Sequence, residues 1–342
     1  MSYESERAEK KRKKKRIFFV VGMIATILLS VFFVIASFYP PSTWKYSVHL
    51  PEVARRKEGE MRFHFLDVGQ GDCTIVELPD GKTMMIDGGN GEQETTNTVM
   101  RYLSALKIKT LDFLVLTHSD SDHAGGLDTV LKTKTVKKVY YPKIDDFSIN
   151  DEFASFCSAL QKSGADKEYS EVGKSIVSSG KYPYRIGFLS PSSVENPKGE
   201  YAEVNGGNES DFAINDTSAV LLFEYGQTKT LLMGDASSEI EEKIMLADQK
   251  GVWDFGELAG LTLSADILKV SHHGSSTATS EEFLEYLGAK TAVISCGKKN
   301  LYGHPDNGVM HRLLTAGEKT HRTDEEGTGV ISIPKEGEYT IE

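Results

Sequence analysis

The chain has 342 residues, 39% of them hydrophobic, and a formal charge of −11. That apolar share excludes disorder throughout, and Cys73, Cys157 and Cys296 are too few and too scattered for a disulfide scaffold. The negative charge argues against broad electrostatic adhesion to nucleic acid, although local positive charge or bound cations would still recruit a phosphodiester.

Residues 10–16 read Lys-Lys-Arg-Lys-Lys-Lys-Arg, and residues 17–39 follow without a single charge. About 20 apolar residues suffice to cross a bilayer as a helix, and a basic flank stays in the cytoplasm. The expectation is a cytoplasmic tail over 1–16, one transmembrane helix over 17–39, and a single-pass cell-membrane protein whose C-terminal part is extracellular. A cleaved secretory signal ending near Val34-Ile35-Ala36 is the alternative, and it too leaves the remainder outside. A buried core helix fits poorly, because an all-apolar helix beside seven cations has no soluble packing partner. Residues 1–16 carry eight cations and three anions, which leaves about −16 on the rest.

Pro40-Pro41 stops the helix, and 40–60 reads as a linker. A folded domain is expected over 61–342. It opens with strands over 62–66, 73–78 and 83–86 in meander order, followed by a helix over 96–106 and an apolar strand over 113–116. A helix is expected over 153–162 and a long surface loop over 196–211. Strands over 218–225 and 230–233 form a hairpin around Gly226-Gln227-Thr228. A helix over 237–247, a strand over 267–270, a helix over 281–287, a strand over 292–295, a last helix after Asp306 and a closing strand over 329–333 complete an α/β (α+β) pattern.

The chemistry concentrates at strand ends. His118-Ser119-Asp120-Ser121-Asp122-His123 places four metal-ligating side chains in six residues after a buried strand, and Ala124-Gly125-Gly126 lets the backbone turn into a helix. Such a loop supplies ligands to two neighbouring ions; the plain alternative is a helix-capping loop. Leu231-Leu232-Met233-Gly234-Asp235 ends a strand on a carboxylate suited to bridge two ions, or merely to cap a helix. Lys269-Val270-Ser271-His272-His273-Gly274-Ser275 ends another strand on two histidines, one a ligand and the other a substrate or supporting group.

Together with Leu66-Asp67-Val68-Gly69-Gln70-Gly71-Asp72 and Ile86-Asp87-Gly88-Gly89, these motifs resemble the metallo-β-lactamase superfamily of binuclear hydrolases, most of all the extracellular hydrolase domain of ComEC-type competence proteins. The resemblance covers residues 61 to about 335. It implies a four-layer αββα sandwich, with His118 and Asp120 on a first metal, Asp122 and His123 on a second, Asp235 bridging, and His272 as the last ligand of the second. His273 then falls to substrate or catalysis. The resemblance further implies a supporting role for Asp87, and for His304, within Tyr302-Gly303-His304-Pro305, proton donation or phosphate contact. Asp72 is expected near the pocket. Asn215 is a candidate to orient substrate, with Asp216 an alternative metal contact. Lys269 is either the cation for a substrate phosphate or a solvent-facing strand residue.

Asp120 stands where the superfamily has a second histidine. A carboxylate there favours manganese more than an all-nitrogen site does, so two divalent ions, zinc or manganese, are the expected cofactors. It turns the expectation from β-lactams towards phosphodiesters, DNA first, with metal-acidified water as nucleophile and no serine or cysteine required. A smaller or envelope-polymer phosphodiester, as cleaved by phosphocholine esterases of the superfamily, is the second reading. A non-catalytic surface binding module is the third.

Overall fold

The computed structural model describes residues 3–38, 45–144, 148–191 and 214–342. The expected stop at Pro40-Pro41 and the expected loop over 196–211 lie outside them. Two compact units are distinguished, Met1–Leu50 and Pro51–Glu342. In the first, helix α1 (Tyr3–Phe38) runs without interruption through the basic residues and the apolar stretch. Its 36 residues give about 54 Å of helix, and it is long and apolar enough to cross a membrane.

The second unit holds two sheets among its described residues. One has the order β15-β14-β1-β2-β3-β4-β5-β6, from β1 (Met61–Phe65), β2 (Thr74–Glu77), β3 (Thr83–Ile86), β4 (Thr110–Val115), β5 (Thr135–Tyr141), β6 (Asp166–Tyr169), β14 (Gly329–Ile333) and β15 (Thr340–Ile341). The other has the order β13-β12-β11-β10-β9-β8-β7, from β7 (Ser175–Ser178), β8 (Tyr184–Ser190), β9 (Val220–Tyr225), β10 (Thr228–Leu232), β11 (Ile267–Lys269), β12 (Thr291–Ile294) and β13 (Lys319–Arg322). In each, one half is antiparallel and the other parallel. The switch comes between β3 and β4 in the first sheet and between β10 and β11 in the second.

Strand alternation sorts the side chains between layers. Leu221, Leu232 and Ile267 join Phe63, Phe65 and Ile331 in the core between the sheets. Their neighbours Leu222, Leu231 and Leu268 point the other way, onto α6 (Ser238–Gln249), α7 (Glu281–Leu287) and α8 (Asn307–Thr315) through Ile240, Phe283 and Leu313. Each such fully buried Leu or Phe contributes about 1.5–3 kcal/mol. On the outer face of the first sheet, His64 of β1 meets the Tyr102 hydroxyl of α2 (Gln93–Ala105) at 3.0 Å. The helix–sheet–sheet–helix layering follows.

Short helices α3 (Ser121–Ala124) and α4 (Leu127–Thr133) follow β4, and α5 (Asp151–Lys162) follows β5; α9 (Thr323–Glu326) follows β13. The strands β6, β7 and β8 have no counterpart among the expected elements. β6 is the tetrapeptide Asp-Lys-Glu-Tyr, half-buried to exposed along its length at a sheet edge, so it carries no apolar alternation to read.

Candidate metal centre

Parallel strands leave their C-terminal ends at one rim, where the following loops gather. β4 leads into His118–His123, β10 into Asp235, β11 into His272 and His273, and β12 into Ser295. Two glycines permit the close packing. A Cβ on Gly125 would lie 2.1 Å from the Gly91 nitrogen, and one on Gly71, whose φ is +132°, would lie 2.4 Å from the Asp122 carbonyl oxygen.

Asp235 is the hub. Its Oδ1 lies 3.3 Å from His123 Nε2, and its Oδ2 lies 3.5 Å from His273 Nε2 and 3.9 Å from His118 Nε2. Asp122 Oδ2 is 3.3 Å from His273 Nε2, and Asp120 Oδ2 is 3.6 Å from His118 Nε2. Ligand atoms of His118, His123 and Asp235 lie within 4.8 Å of one another, as do those of Asp122, His123 and His273. One carboxylate thus faces two adjoining donor groups.

Each imidazole has its outer nitrogen occupied. His273 Nδ1 donates to the Ser295 carbonyl at 2.8 Å, and since a carbonyl only accepts, Nε2 is the nitrogen that carries the lone pair towards the cluster once the ring is neutral. His123 Nδ1 donates to Asp87 Oδ2 at 2.9 Å. Asp87 also receives the Thr117 N–H and hydroxyl, each at 2.8 Å. With its proton committed there, the Thr117 hydroxyl accepts from His118 Nδ1 at 3.0 Å. Asp87 therefore orients two imidazoles, one directly and one through Thr117. Sequence reasoning passed over Thr117, although a hydroxyl between a strand end and the first ligand was the available signal. It also passed over Ser218, whose Oγ accepts from the Asp235 N–H at 3.1 Å.

The pocket is electrostatically demanding. Burial would raise the pKa of Asp235, but His123 and His273 hold it well below the usual carboxylate range. Asp122, likewise opposed by burial, is brought to about 2 by His273 and His123. Burial disfavours a charged imidazole, yet Asp235 and then Asp87 push His123 well above its ordinary value, and Asp235 with Asp122 and Asp72 carries His273 to about 10. These carboxylates call for positive charge. His118 Nε2 and Asp235 Oδ1 are buried and make no hydrogen bond. Unused, inward-facing lone pairs in an anionic pocket fit divalent cations.

Three expectations meet a different geometry. His272, expected as a ligand, has its side chain 23% exposed on the open side, with Nε2 3.8 Å from Asp235 Oδ2 and Nδ1 3.1 Å from the Thr277 hydroxyl. The buried ring that joins Asp122 and His123 is that of His273. Both residues are left-handed, at φ 47° and 54°, a strained conformation for a side-chain-bearing residue. Lys269 faces neither substrate nor solvent. It is 2% exposed, pairs with Asp72 Oδ2 at 2.8 Å and donates to the Val270 carbonyl, because β11 is an interior strand. Asp216 accepts the Ser237 hydroxyl at the start of α6. Asn215 is buried with an Oδ1 that accepts no hydrogen bond, and His304 lies beside the cluster, its ring 5.5 Å from that of His272 and 6.5 Å from that of His273.

A family model described as the metallo-beta-lactamase superfamily matches residues 66–298. The chain belongs to that superfamily. The superfamily's two-sheet fold, with helices outside, is the one described above, and the long apolar α1 fits one transmembrane helix. The chain is 31% identical over 286 residues to ComE operon protein 3 of Bacillus subtilis, covering 79% of this chain and 32% of that protein. It is 30% identical to Recombination protein 2 of Haemophilus influenzae, covering 72% and 26%, and 29% identical to Competence protein ComA of Neisseria gonorrhoeae, covering 82% and 33%. The chain therefore spans between a quarter and a third of the length of these relatives, and they agree with a ComEC-type resemblance.

Proposed function

We propose that this chain is a membrane-anchored, metal-dependent phosphodiesterase whose site faces outside the cell, acting on nucleic acid. The observation that carries the reading is Asp235, one carboxylate that faces His123 through Oδ1 and His118 and His273 through Oδ2, with Asp120 and Asp122 beside them. A donor set so rich in carboxylate suits hard divalent ions and phosphoryl chemistry better than an all-imidazole set does. His118, Asp120, Asp122, His123, Asp235 and His273 would hold two such ions, zinc or manganese, with His273 in the place that sequence order assigns to His272.

When bound, the ions supply a water acidic near neutral pH and positive charge against the phosphoryl oxygens. The chain's own residues do the rest. Asp87 and Thr117 hold the imidazole lone pairs inward, and Ser295 does the same for His273. His272 and His304, on the open side, are placed to contact the phosphodiester or pass a proton to the leaving oxygen. The names of the relatives, a competence protein and a recombination protein, support nucleic acid as the substrate class. Helix α1 supports a single anchor over residues 17–39, and the basic run over 10–16 before it supports an orientation with the domain from 61 onward outside.

The test is turnover of bis(p-nitrophenyl) phosphate against a chromogenic β-lactam after loading with manganese or zinc. Phosphodiester turnover with little β-lactam turnover is expected. The opposite preference, or less than one divalent ion bound per chain, would falsify the reading.

A further inference from the structure

Beside the metal cluster, the segment after β12 carries Lys298, Lys299, Asn300, Leu301, Tyr302, Gly303 and His304 in succession. Leu301 is fully exposed and Tyr302 is 73% exposed, yet the segment is pinned. The Asn300 side chain donates to the Gly297 carbonyl at 2.9 Å and to the His304 carbonyl at 2.6 Å, and accepts from the His304 N–H at 3.0 Å. One amide thus closes both ends of the excursion and holds Tyr302 at its tip. The Tyr302 ring lies 5.7 Å from that of His304 at 23°, and the His304 ring lies 6.5 Å from that of His273 at 25°. Three near-parallel rings therefore lead from solvent to the cluster. Lys298 and Lys299 are exposed and, among the described residues, unpaired.

We infer that Tyr302 is a stacking platform for a base of a single-stranded nucleic acid, with Lys298 and Lys299 holding the neighbouring phosphates. This rests on the phosphodiesterase reading of the same site and narrows its substrate class. An exposed aromatic face on a rigid loop, next to free cations, is the combination that binds single strands with little sequence preference. A duplex keeps its base faces covered. The two lysines also decide against a choline-bearing substrate. An aromatic ring attracts a quaternary ammonium, but two adjacent ammonium groups repel it.

The experiment measures binding of a thymidine oligonucleotide and of an abasic oligonucleotide of equal length, by fluorescence anisotropy, to the full chain in detergent micelles at near-physiological salt. The basic tail contributes to both probes alike, so the difference between them reads the base. Tyr302→Ala is expected to weaken binding of the thymidine strand about tenfold and to change the abasic strand much less, whereas Tyr302→Phe keeps the wild-type values. Lys298→Gln with Lys299→Gln should weaken both probes together and flatten the salt dependence. Equal affinity of wild type for the two probes, an unaltered Tyr302→Ala, or a Tyr302→Phe as weak as the alanine variant would overturn the inference. Bis(p-nitrophenyl) phosphate turnover reports separately on the metal site, so either reading can fail while the other stands.

Discussion

The Lys269 ammonium lies 2.8 Å from Asp72 Oδ2, with both side chains almost wholly buried beside the histidine and aspartate cluster. Burial alone would raise the pKa of Asp72, but Lys269 and then His273 hold it well below the usual carboxylate range. The other oxygen of Asp72 is 3.4 Å from His273 Nδ1, so the pair underlies a candidate ligand. Lys269→Met strands a buried carboxylate and is expected to cost about 3–5 kcal/mol in denaturant unfolding. Adding Asp72→Asn should recover much of it. A single variant as stable as wild type would mean that the pair contributes nothing.

Thr117 joins Asp87 to His118 by one shared hydroxyl. Thr117→Val removes that acceptor and leaves His118 free to rotate or change tautomer. Metal affinity, measured by competition with a chelator, should fall about 10- to 100-fold. Thr117→Ser keeps the hydroxyl and should restore affinity; if serine and valine behave alike, the hydroxyl is not what orients the ring.

His272 and His273 are adjacent but differently placed. His273→Ala should remove metal from the site as Asp235→Ala does, and with it phosphodiester turnover. His272→Ala should keep most of the metal and lose turnover through substrate contact or proton transfer. Metal content after gel filtration separates the two, and the reverse ranking would return the ligand role to His272.

Glu318 is 7% exposed and neither of its carboxylate oxygens makes a hydrogen bond. Burial pushes its pKa from 4.5 up to about 7. Below 4.5 the folded and unfolded chains both keep the proton. As pH rises from 4.5 towards 7, the unfolded chain releases the proton first, so this group lowers stability progressively, and above about 7 the loss is complete. Glu318→Gln should therefore leave stability unchanged in acid and raise it by about 1–3 kcal/mol above neutrality. Equal thermal shifts at both ends of that range would contradict this.

Much of the site was legible because metal chemistry packs its donors locally. Four ligand types in six residues after a buried strand, with glycines to follow, need no tertiary knowledge, and Asp235 stands at a strand end in the same way. The alternating run of β1, Met-Arg-Phe-His-Phe, also declares which residues face which layer, whereas the continuous apolar run of β9 declares a strand without its faces. β6 and β7 declare neither, since edge strands with polar faces lack that period.

The sequence by itself determined the order of most strands and helices and the His118 to His123 loop, since these depend on local order and on periodicity, and its motifs carried the family resemblance that implied the two-sheet sandwich. Only the tertiary structure decided that His273 turns inward while His272 stays on the open side, because a left-handed backbone at both residues separates neighbours that a sequence pattern treats as equivalent. It also decided that Lys269 is a buried partner of Asp72, since whether a strand is interior or at an edge depends on its neighbours in space and not on its own residues.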